Sequence, residues 1–312
     1  MPKEVIVVDA SDDPIDVSQY EMSDSCSISV IHSKIASVCI QRNIGIRQAI
    51  GNYIFICDDD IEVSQDYLSE IAHYFKNNQG EVIVTGRVLE KDKSENWNYR
   101  VQEIKFPYFI WSYVFLHSIW IDIETYASYG YWIKKLVSLN KRLRSNDVSL
   151  AGWPLMSSAS PDGITKCTIT GLGASVVRAD WLKNHLYDEV LDAHGIGDNY
   201  GVAIQLGVDK QITILEKSFV YHHKETTNRL RPELAYFRRT LALHYFMKRS
   251  NRYGWSHLIF FKWSIIGKLL EAALRLNKKL VWYNLRILFL TTTGANPYAK
   301  AKEAGLKVYT IT

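Results

Sequence analysis

The feature that most restricts this chain is the alternation of short, β-branched apolar runs with amphipathic stretches in its first third. Val5 to Val8, Ile28 to Ile31, Tyr53 to Cys57 and Val82 to Val88 have the length and continuous apolar character of buried parallel strands. Two helices lie among them. Ser37 to Ile50 sets Ile40, Ile44 and Arg47 at helical spacing, and Gln65 to Asn77 repeats the pattern with Leu68, Ile71, Ala72 and Phe75 before a stop at Asn77, Asn78 and Gly80. Strands alternating with helices predict an α/β fold, a Rossmann-like sheet flanked by helices.

Residues 89 to 150 break the alternation with a charged turn at Glu90 to Glu95, an aromatic-rich helical stretch and the basic run Lys134 to Arg144. An insertion or lid is expected here. The uncharged run Phe106 to Ile121 is interrupted by His117 and two serines and is shorter than the roughly 20 apolar residues of a spanning helix. It predicts a buried or interfacial helix, with a span as the other reading. Regularity returns at Lys166 to Val177, followed by helices near Ala179 to His185 and Asp198 to Leu206, strand-like runs Gln211 to Leu215 and Phe219 to His222, and helices from Pro232 onward. The expected division is therefore 1–88, 89–165, 166–225 and a helical extension over 226–312.

A chain of 312 residues with near-average apolar content can bury a large core without disulfides or structural metal. Cys26, Cys39, Cys57 and Cys167 are widely spaced and form no CxxC pair, which suggests neither a zinc site nor a disulfide framework. Met1 runs directly into the first strand without a basic region and apolar stretch, so no signal peptide is expected and the folded part is placed in the cytoplasm. A net charge of +4 does not by itself imply nucleic acid, and none is expected as a partner. Basic and aromatic residues do crowd together between Arg229 and Lys279, which suits an anionic membrane surface, the inner face of the plasma membrane.

Asp58, Asp59 and Asp60 directly follow the apolar run Tyr53 to Cys57. Ligands of open α/β sheets bind at the carboxyl ends of strands, where these side chains would project. Three adjacent carboxylates repel one another, and a divalent cation shared with a diphosphate would relieve the repulsion; hard oxygen ligands suit Mg²⁺ or Mn²⁺. An isolated acidic triplet is ordinarily a solvated turn, and it is the position after a buried strand that favours the functional reading. Val7-Val8-Asp9-Ala10-Ser11-Asp12-Asp13 is a second strand entering an acidic turn. Asp9 could accept from the imide N–H of a uracil-like base, while Ser11 and Asp12 could cap the next segment.

Asp9 to Asp13, then a helix carrying Arg42-Asn43, then Gly51-Asn52-Tyr53-Ile54-Phe55-Ile56-Cys57-Asp58-Asp59-Asp60, resembles the nucleotide-binding half of the family-two glycosyltransferases in order and spacing. The resemblance implies a GT-A fold with a Rossmann-like mixed sheet. It also implies a nucleotide-sugar donor, with Asp9 (and Ser11 beside it), Arg42 and Asp58 at the nucleotide and Asp58 and Asp60 as the DXD motif for ribose and metal-diphosphate. Thr170 to Arg178, Tyr187-Asp188-Glu189 and Gly195-Ile196-Gly197-Asp198 are similar to the family's acceptor half, which makes Asp198 the expected catalytic base. Asp188 and Glu189 are fallback bases on the acceptor side. A histidine completing the metal site or touching the diphosphate is expected at His222, with His223 close behind.

This sequence departs from the family in two places. Gly197 stands where members usually carry Glu, and the opening strand with its Pro-Thr-Tyr-Asn-like turn is missing ahead of Val5 to Asp9. A truncated product, a misplaced start or a degenerate relative would each account for the second. The expected reaction is inverting transfer of a sugar, from a UDP-sugar foremost, to a hydroxyl of a glycan or lipid-linked glycan, with Mn²⁺ or Mg²⁺ as cofactor. A non-catalytic subunit of a glycan-assembly complex and a nucleotidyltransferase are the alternatives.

The tail carries Phe237, Leu241, His244, Tyr245 and Lys248 at helical spacing, then Trp255, Phe260, Phe261 and Trp263 among Lys262, Lys268, Arg275, Lys278 and Lys279. Such residues either cover the catalytic core or lie on a membrane. On the membrane reading, removing residues after about 254 should release the protein with its nucleotide site intact.

Overall fold

The computed structural model describes residues 2–13, 15–17, 26–91, 94–99, 106–122, 131, 135, 148–158, 163–207, 210–224 and 230–311. The first strands and helices form where the alternation places them. Strands β1 (Glu4–Asp9) and β2 (Ser27–His32) lead to helix α1 (Val38–Gln48), whose first turn is capped by the Ser37 hydroxyl on the Ile40 amide. Strands β3 (Tyr53–Cys57) and β4 (Ile61–Val63) precede helix α2 (Tyr67–Asn77), which buries Tyr67, Ile71 and Phe75 under the sheet. Then come β5 (Ile83–Lys91), β6 (Trp97–Tyr99), α3 (Phe106–Val114), β7 (Ile119–Asp122), β8 (Leu155–Ser158), β9 (Ile164–Cys167) and β10 (Ala174–Arg178). The chain continues through α4 (Ala179–Asn184), α5 (Asp198–Gln205), β11 (Ile212–His222), α6 (Pro232–Arg249), α7 (Trp255–Leu274), α8 (Lys278–Thr292) and α9 (Pro297–Glu303).

Among the described residues the main sheet runs β3-β10-β5-β11-β4, with β6 on β5 and β9 on β11. It is mixed: β11 is parallel to β5, while β10 is antiparallel to both β3 and β5. This is the expected α/β architecture, a mixed sheet flanked by helices with a helical C-terminal extension. One expectation changes. The first two strands are not buried members of this sheet: among the described residues they pair, in parallel, only with each other, and Asp9 alone among β1's residues is buried. The buried positions are taken by β5, β10 and β11, which contribute Ile83, Val84, Val177, Ile212 and Ile214 to the core.

The two runs read as separate strands before and after residue 216 form one strand, β11, with a bulge between Leu215 and Phe219. The polar residues Glu216, Lys217 and Ser218 occupy the irregularity, where side chains escape the strict alternation of a ladder. Gly86 faces it on β5. A Cβ there would meet the Ser218 carbonyl oxygen and the Tyr67 ring, each at 2.5 Å, and the Gly86 amide donates to Tyr67 Oη at 2.8 Å. Glycine thus allows the bulge to close against the strand.

The expected helix over Phe106 to Ile121 stops at Val114. Leu116 then takes φ 56°, which ends the helical path, and the β-branched Ile119 and Ile121 enter β7. His117, in the break, is buried and places Nε2 3.0 Å from the Ser264 carbonyl oxygen, tying this segment to α7. No helix among the described residues is long and apolar enough to cross a membrane. The basic run Lys134 to Arg144 lies, except for Lys135, outside the described residues.

One core joins the sheet to the tail. Cys39, Ile46 and Leu191 pack in the same cluster as Phe237, Leu241, Tyr245, Phe261, Ile265, Ile287, Tyr298 and Ile311. The last residues are also fixed by backbone hydrogen bonds, from the Val308 amide to the Glu189 carbonyl at 2.8 Å and from the Tyr309 amide to the Val190 carbonyl at 3.0 Å. Cutting the chain after about residue 254 would therefore open the core, so truncation cannot release an intact nucleotide site as the membrane reading expected.

Candidate active site

Because β3, β5 and β11 point the same way, the residues at their carboxyl ends share one edge of the sheet: Asp58 just after β3, Glu90 near the end of β5 and His222 at the end of β11. That edge is where α/β sheets hold ligands. Glu90 and His222 are direct register partners. Asp58 is admitted beside β10 because position 173 is glycine; a Cβ there would fall 2.0 Å from Asp58 Oδ2. The Asp58 amide donates to the Gly173 carbonyl at 2.9 Å, which fixes the backbone of the acidic turn.

Arg42 is the centre of the first cluster. Its guanidinium donates from Nη2 to Asp58 Oδ1 and from Nη1 to Asp198 Oδ2, and lies 5.2 Å from the centre of the Tyr187 ring. One cation therefore joins a carboxylate of the first half of the chain to the expected base of the second. The planar fork of arginine makes this possible, since a lysine ammonium is a single point charge. Burial pulls the Arg42 pKa down, but Asp198, Tyr187 and Asp58 together outweigh it and the net shift is upward. Burial also raises the Asp198 carboxyl, against the lowering effect of Arg42 and of the Asn199 amide, which donates to Asp198 Oδ1 at 2.6 Å. The neighbouring Asn43 holds the Tyr187 backbone at both ends, donating to its carbonyl at 2.9 Å and accepting from its amide at 2.9 Å. An Arg-Asn pair that reads as ordinary helix surface thus builds the floor of the site.

Asp198 starts α5, and Gly197 is its N-cap residue with φ 96°. A Cβ at Gly197 would meet Ala242 Cβ at 2.7 Å, and one at Gly201 would meet the Phe246 ring at 2.7 Å. These two glycines, four residues apart, let α5 lie close against α6. A glutamate at 197 would be strained in that backbone conformation and would have no room, which gives a packing reason for the departure noted in the sequence.

The second cluster is Asp60, His222 and Glu90. His222 Nε2 is 3.0 Å from Asp60 Oδ2 and Nδ1 is 3.3 Å from Glu90 Oε1. Glu90 first, then the charge of Asp60, raises the His222 pKa above its ordinary value despite partial burial. Lys224 forms an ion pair with the other oxygen of Glu90. His223 points elsewhere, with Nε2 2.8 Å from Glu62 and its ring edge-on to Trp97. The carboxylate and imidazole that meet at Asp60 and His222 suit Mn²⁺ or Mg²⁺ bound partly through substrate phosphates, which needs only one or two protein ligands. Among the described residues no group of three or more such ligands forms. Asp58, expected at the metal, is turned instead to Arg42, and Asp59 is exposed.

The other expected residues occupy separate places. Asp9 takes the amides of Ser11 and Ile15 at 2.9 and 3.0 Å, with Ser11 Oγ at 2.7 Å, so Asp9 is itself the organiser of its turn. These hydrogen bonds, the Ser11 amide foremost, lower its pKa. Asp188 is bound by Lys302 at 2.8 Å and Tyr245 Oη at 2.7 Å and lines a cleft of about 520 Å³ with Arg249, Arg252 and Lys302. Glu189 is bound by Asn43 at 3.0 Å and Lys307 at 2.7 Å. Neither carboxylate joins the Arg42 cluster. Nothing in the sequence alone marks Glu90 or Tyr187 as a site residue. Glu90 sits in a charged run, and only the strand register shows which histidine it faces.

No curated relative matches the sequence. In shape the chain is similar to S. aureus TarS 1-349 in complex with UDP-GlcNAc, at 11% identity and a TM-score of 0.49 over 98% of this chain and 85% of that one. It is similar also to GalNAc-T7 with UDP, GalNAc and Mn²⁺, at 12% identity and a TM-score of 0.49 over 95% of this chain and 52% of that one. A third is the mannosyltransferase PcManGT from Pyrobaculum calidifontis in complex with GDP-Man and Mn²⁺, at 10% identity and a TM-score of 0.45 over 94% and 79%. Residues 1–131, which hold Asp9, Arg42, Asp58, Asp60 and Glu90, match the model of Glycosyl transferase family 2.

Proposed function

We propose that this protein is an inverting glycosyltransferase that takes its sugar from a nucleotide-diphosphate donor, a UDP-sugar foremost, and passes it to a hydroxyl of a glycan or lipid-linked glycan. The observation that carries this reading is the Arg42 bridge between Asp58 and Asp198. It joins the carboxylate expected at the donor to a half-buried carboxylate whose raised pKa suits a general base. Asp198 would take the proton of the acceptor hydroxyl as that oxygen attacks the anomeric carbon. Its Oδ2 is fixed by Arg42 and its Oδ1 by the Asn199 amide, so the carboxylate is aimed before substrate arrives. The nucleoside diphosphate leaves from the opposite side of the sugar, and configuration inverts. Asp9, with its turn ordered by Ser11 and Ile15, keeps unused acceptor capacity for the imide of a base.

Asp60 and His222 would hold a divalent ion together with the diphosphate. When bound, the ion supplies neutralising charge for the departing diphosphate. Glu90 orients His222 so that Nε2 faces Asp60, as the carboxylate partners of ligating histidines commonly do.

Release of nucleoside diphosphate from a panel of UDP- and GDP-sugars, with Mn²⁺ present, tests the reading. Wild-type protein should release UDP from at least one UDP-sugar, and Asp60→Ala should abolish the release. Glu90→Gln should weaken Mn²⁺ binding in the presence of UDP by roughly 10- to 100-fold. Undiminished turnover in Asp60→Ala would remove this cluster from the donor site.

A further inference from the structure

Helices α7 and α8 pack against each other and against the core, yet each leaves one side uncovered. On α7 the exposed apolar residues are Trp255, Ile259, Phe260, Trp263, Ile266, Leu270 and Leu274. All but Phe260 recur at spacings of four, four, three, four and four residues, which confines them to an arc of about 100° on the helix, and Phe260 widens the stripe to about 140°. The opposite side supplies the buried Phe261, Ser264, Ile265 and Ala272. On α8, Trp282, Leu285 and Phe289 form the same kind of stripe, opposite the buried Asn284, Ile287 and Thr291. These are not marginal exposures: Trp255 and Leu274 are 77% exposed, Trp282 61% and Phe289 65%. Uncovered apolar area of this extent marks an interaction surface.

The charges around it indicate what covers it. Between Arg252 and Thr292 there are seven basic residues and one acidic residue, Glu271. Glu271 is already engaged by Lys268 at 3.1 Å and Arg275 at 3.0 Å. Lys278 and Lys279 are exposed in the first turn of α8, where the helix dipole disfavours cations and no acidic side chain balances them. Helix stability does not explain their placement, whereas an anionic partner does. Aromatic residues on the apolar stripe and lysines beside it are the composition of a helix lying in the plane of a lipid interface.

We infer that the α7–α8 hairpin docks this protein in-plane on an anionic lipid surface. The apolar stripes enter the headgroup boundary, Lys278 and Lys279 meet the anionic headgroups, and the buried sides of the same helices keep the catalytic body attached. The tail is thus core on one side and interface on the other. The inference does not depend on the identity of the donor or acceptor.

Co-sedimentation of the full chain with vesicles of phosphatidylcholine alone, or with 30% phosphatidylserine (about that fraction suffices to set an anionic surface potential), tests it. Wild-type protein is expected to pellet with the anionic vesicles at low salt, to bind them at least tenfold more weakly at high salt, and to bind neutral vesicles weakly. The triple variant Ile259→Ser/Leu270→Ser/Phe289→Ser and the pair Lys278→Glu/Lys279→Glu should each lose at least tenfold in binding to anionic vesicles. Both should keep wild-type melting and wild-type release of nucleoside diphosphate, because every substituted side chain is exposed. If wild-type protein stays in the supernatant with both vesicle types, the inference fails. If sedimentation velocity then shows a dimer that the triple variant abolishes, the face belongs to a second copy of the chain.

Discussion

Asp198→Asn is expected to lower turnover by roughly 100-fold or more, the usual scale for loss of a general base, while UDP affinity stays close to that of the wild type. Donor binding should survive because Arg42 keeps its partner Asp58 and because Asp60, His222 and Glu90 are untouched. Asparagine offers a single acceptor oxygen, so it can keep the hydrogen bond from Arg42 or the one from the Asn199 amide while its NH2 faces the other donor, and it loses the capacity to take a proton. The wild-type rate should also fall as pH drops through the Asp198 pKa. Burial raises that pKa, so the acid limb should lie above the range of an ordinary carboxylate. Initial rates across pH, with calorimetry of UDP binding, check both points. Full turnover in Asp198→Asn together with its loss in Asp188→Asn or Glu189→Gln would transfer the role to the acceptor-side carboxylates.

Arg42→Ala should have the larger structural effect. Removing the guanidinium leaves two carboxylates facing each other without their shared cation, and breaking a buried pair in this way ordinarily costs about 3 to 5 kcal/mol. The cost here should be about 3 kcal/mol or less, because all three side chains keep contact with water, at 15% exposure for Arg42, 20% for Asp198 and 39% for Asp58. For a chain of this size that corresponds to a melting temperature lower by roughly 6 °C at most. Turnover should fall as well. Since Arg42 opposes the upward pull of burial on Asp198, its loss should shift the acid limb of any residual activity to still higher pH. Arg42→Lys keeps the charge but not the fork, so it should recover part of the stability and little of the turnover. A wild-type melting curve for Arg42→Ala would mean that the bridge contributes nothing to the fold.

Much of the architecture is legible in the sequence because the strands that matter are short and uninterrupted. Tyr53 to Cys57 runs into three aspartates, and Phe219 to His222 runs into a second histidine; each run is apolar enough to identify a strand and abrupt enough to identify its carboxyl end. The partners of those strands are not legible, because they depend on pairing across the chain. Nothing in Val5 to Asp9 tells that it pairs with Ser27 to His32, and nothing in Glu90 tells that β11 will bring His222 opposite it. Arg42 shows the same limit. On a helical wheel it is an ordinary polar residue; its burial follows from the approach of Tyr187 and Asp198, about 150 residues later in a chain whose folding alone joins them. The tail was ambiguous because core and interface use the same residue types. Phe261 and Trp263, two residues apart, lie on opposite sides of α7, and only packing assigns the first to the core and the second to the exposed stripe.

The proposed function requires the carboxyl edge of the sheet to bind a nucleoside diphosphate through a divalent ion held at Asp60 and His222. Calorimetric titration of the wild-type chain with UDP, once in Mn²⁺ and once in EDTA, tests it most directly. Saturable one-to-one binding is expected in Mn²⁺, lost in EDTA and in Asp60→Ala. Equal binding in Mn²⁺ and in EDTA would contradict it.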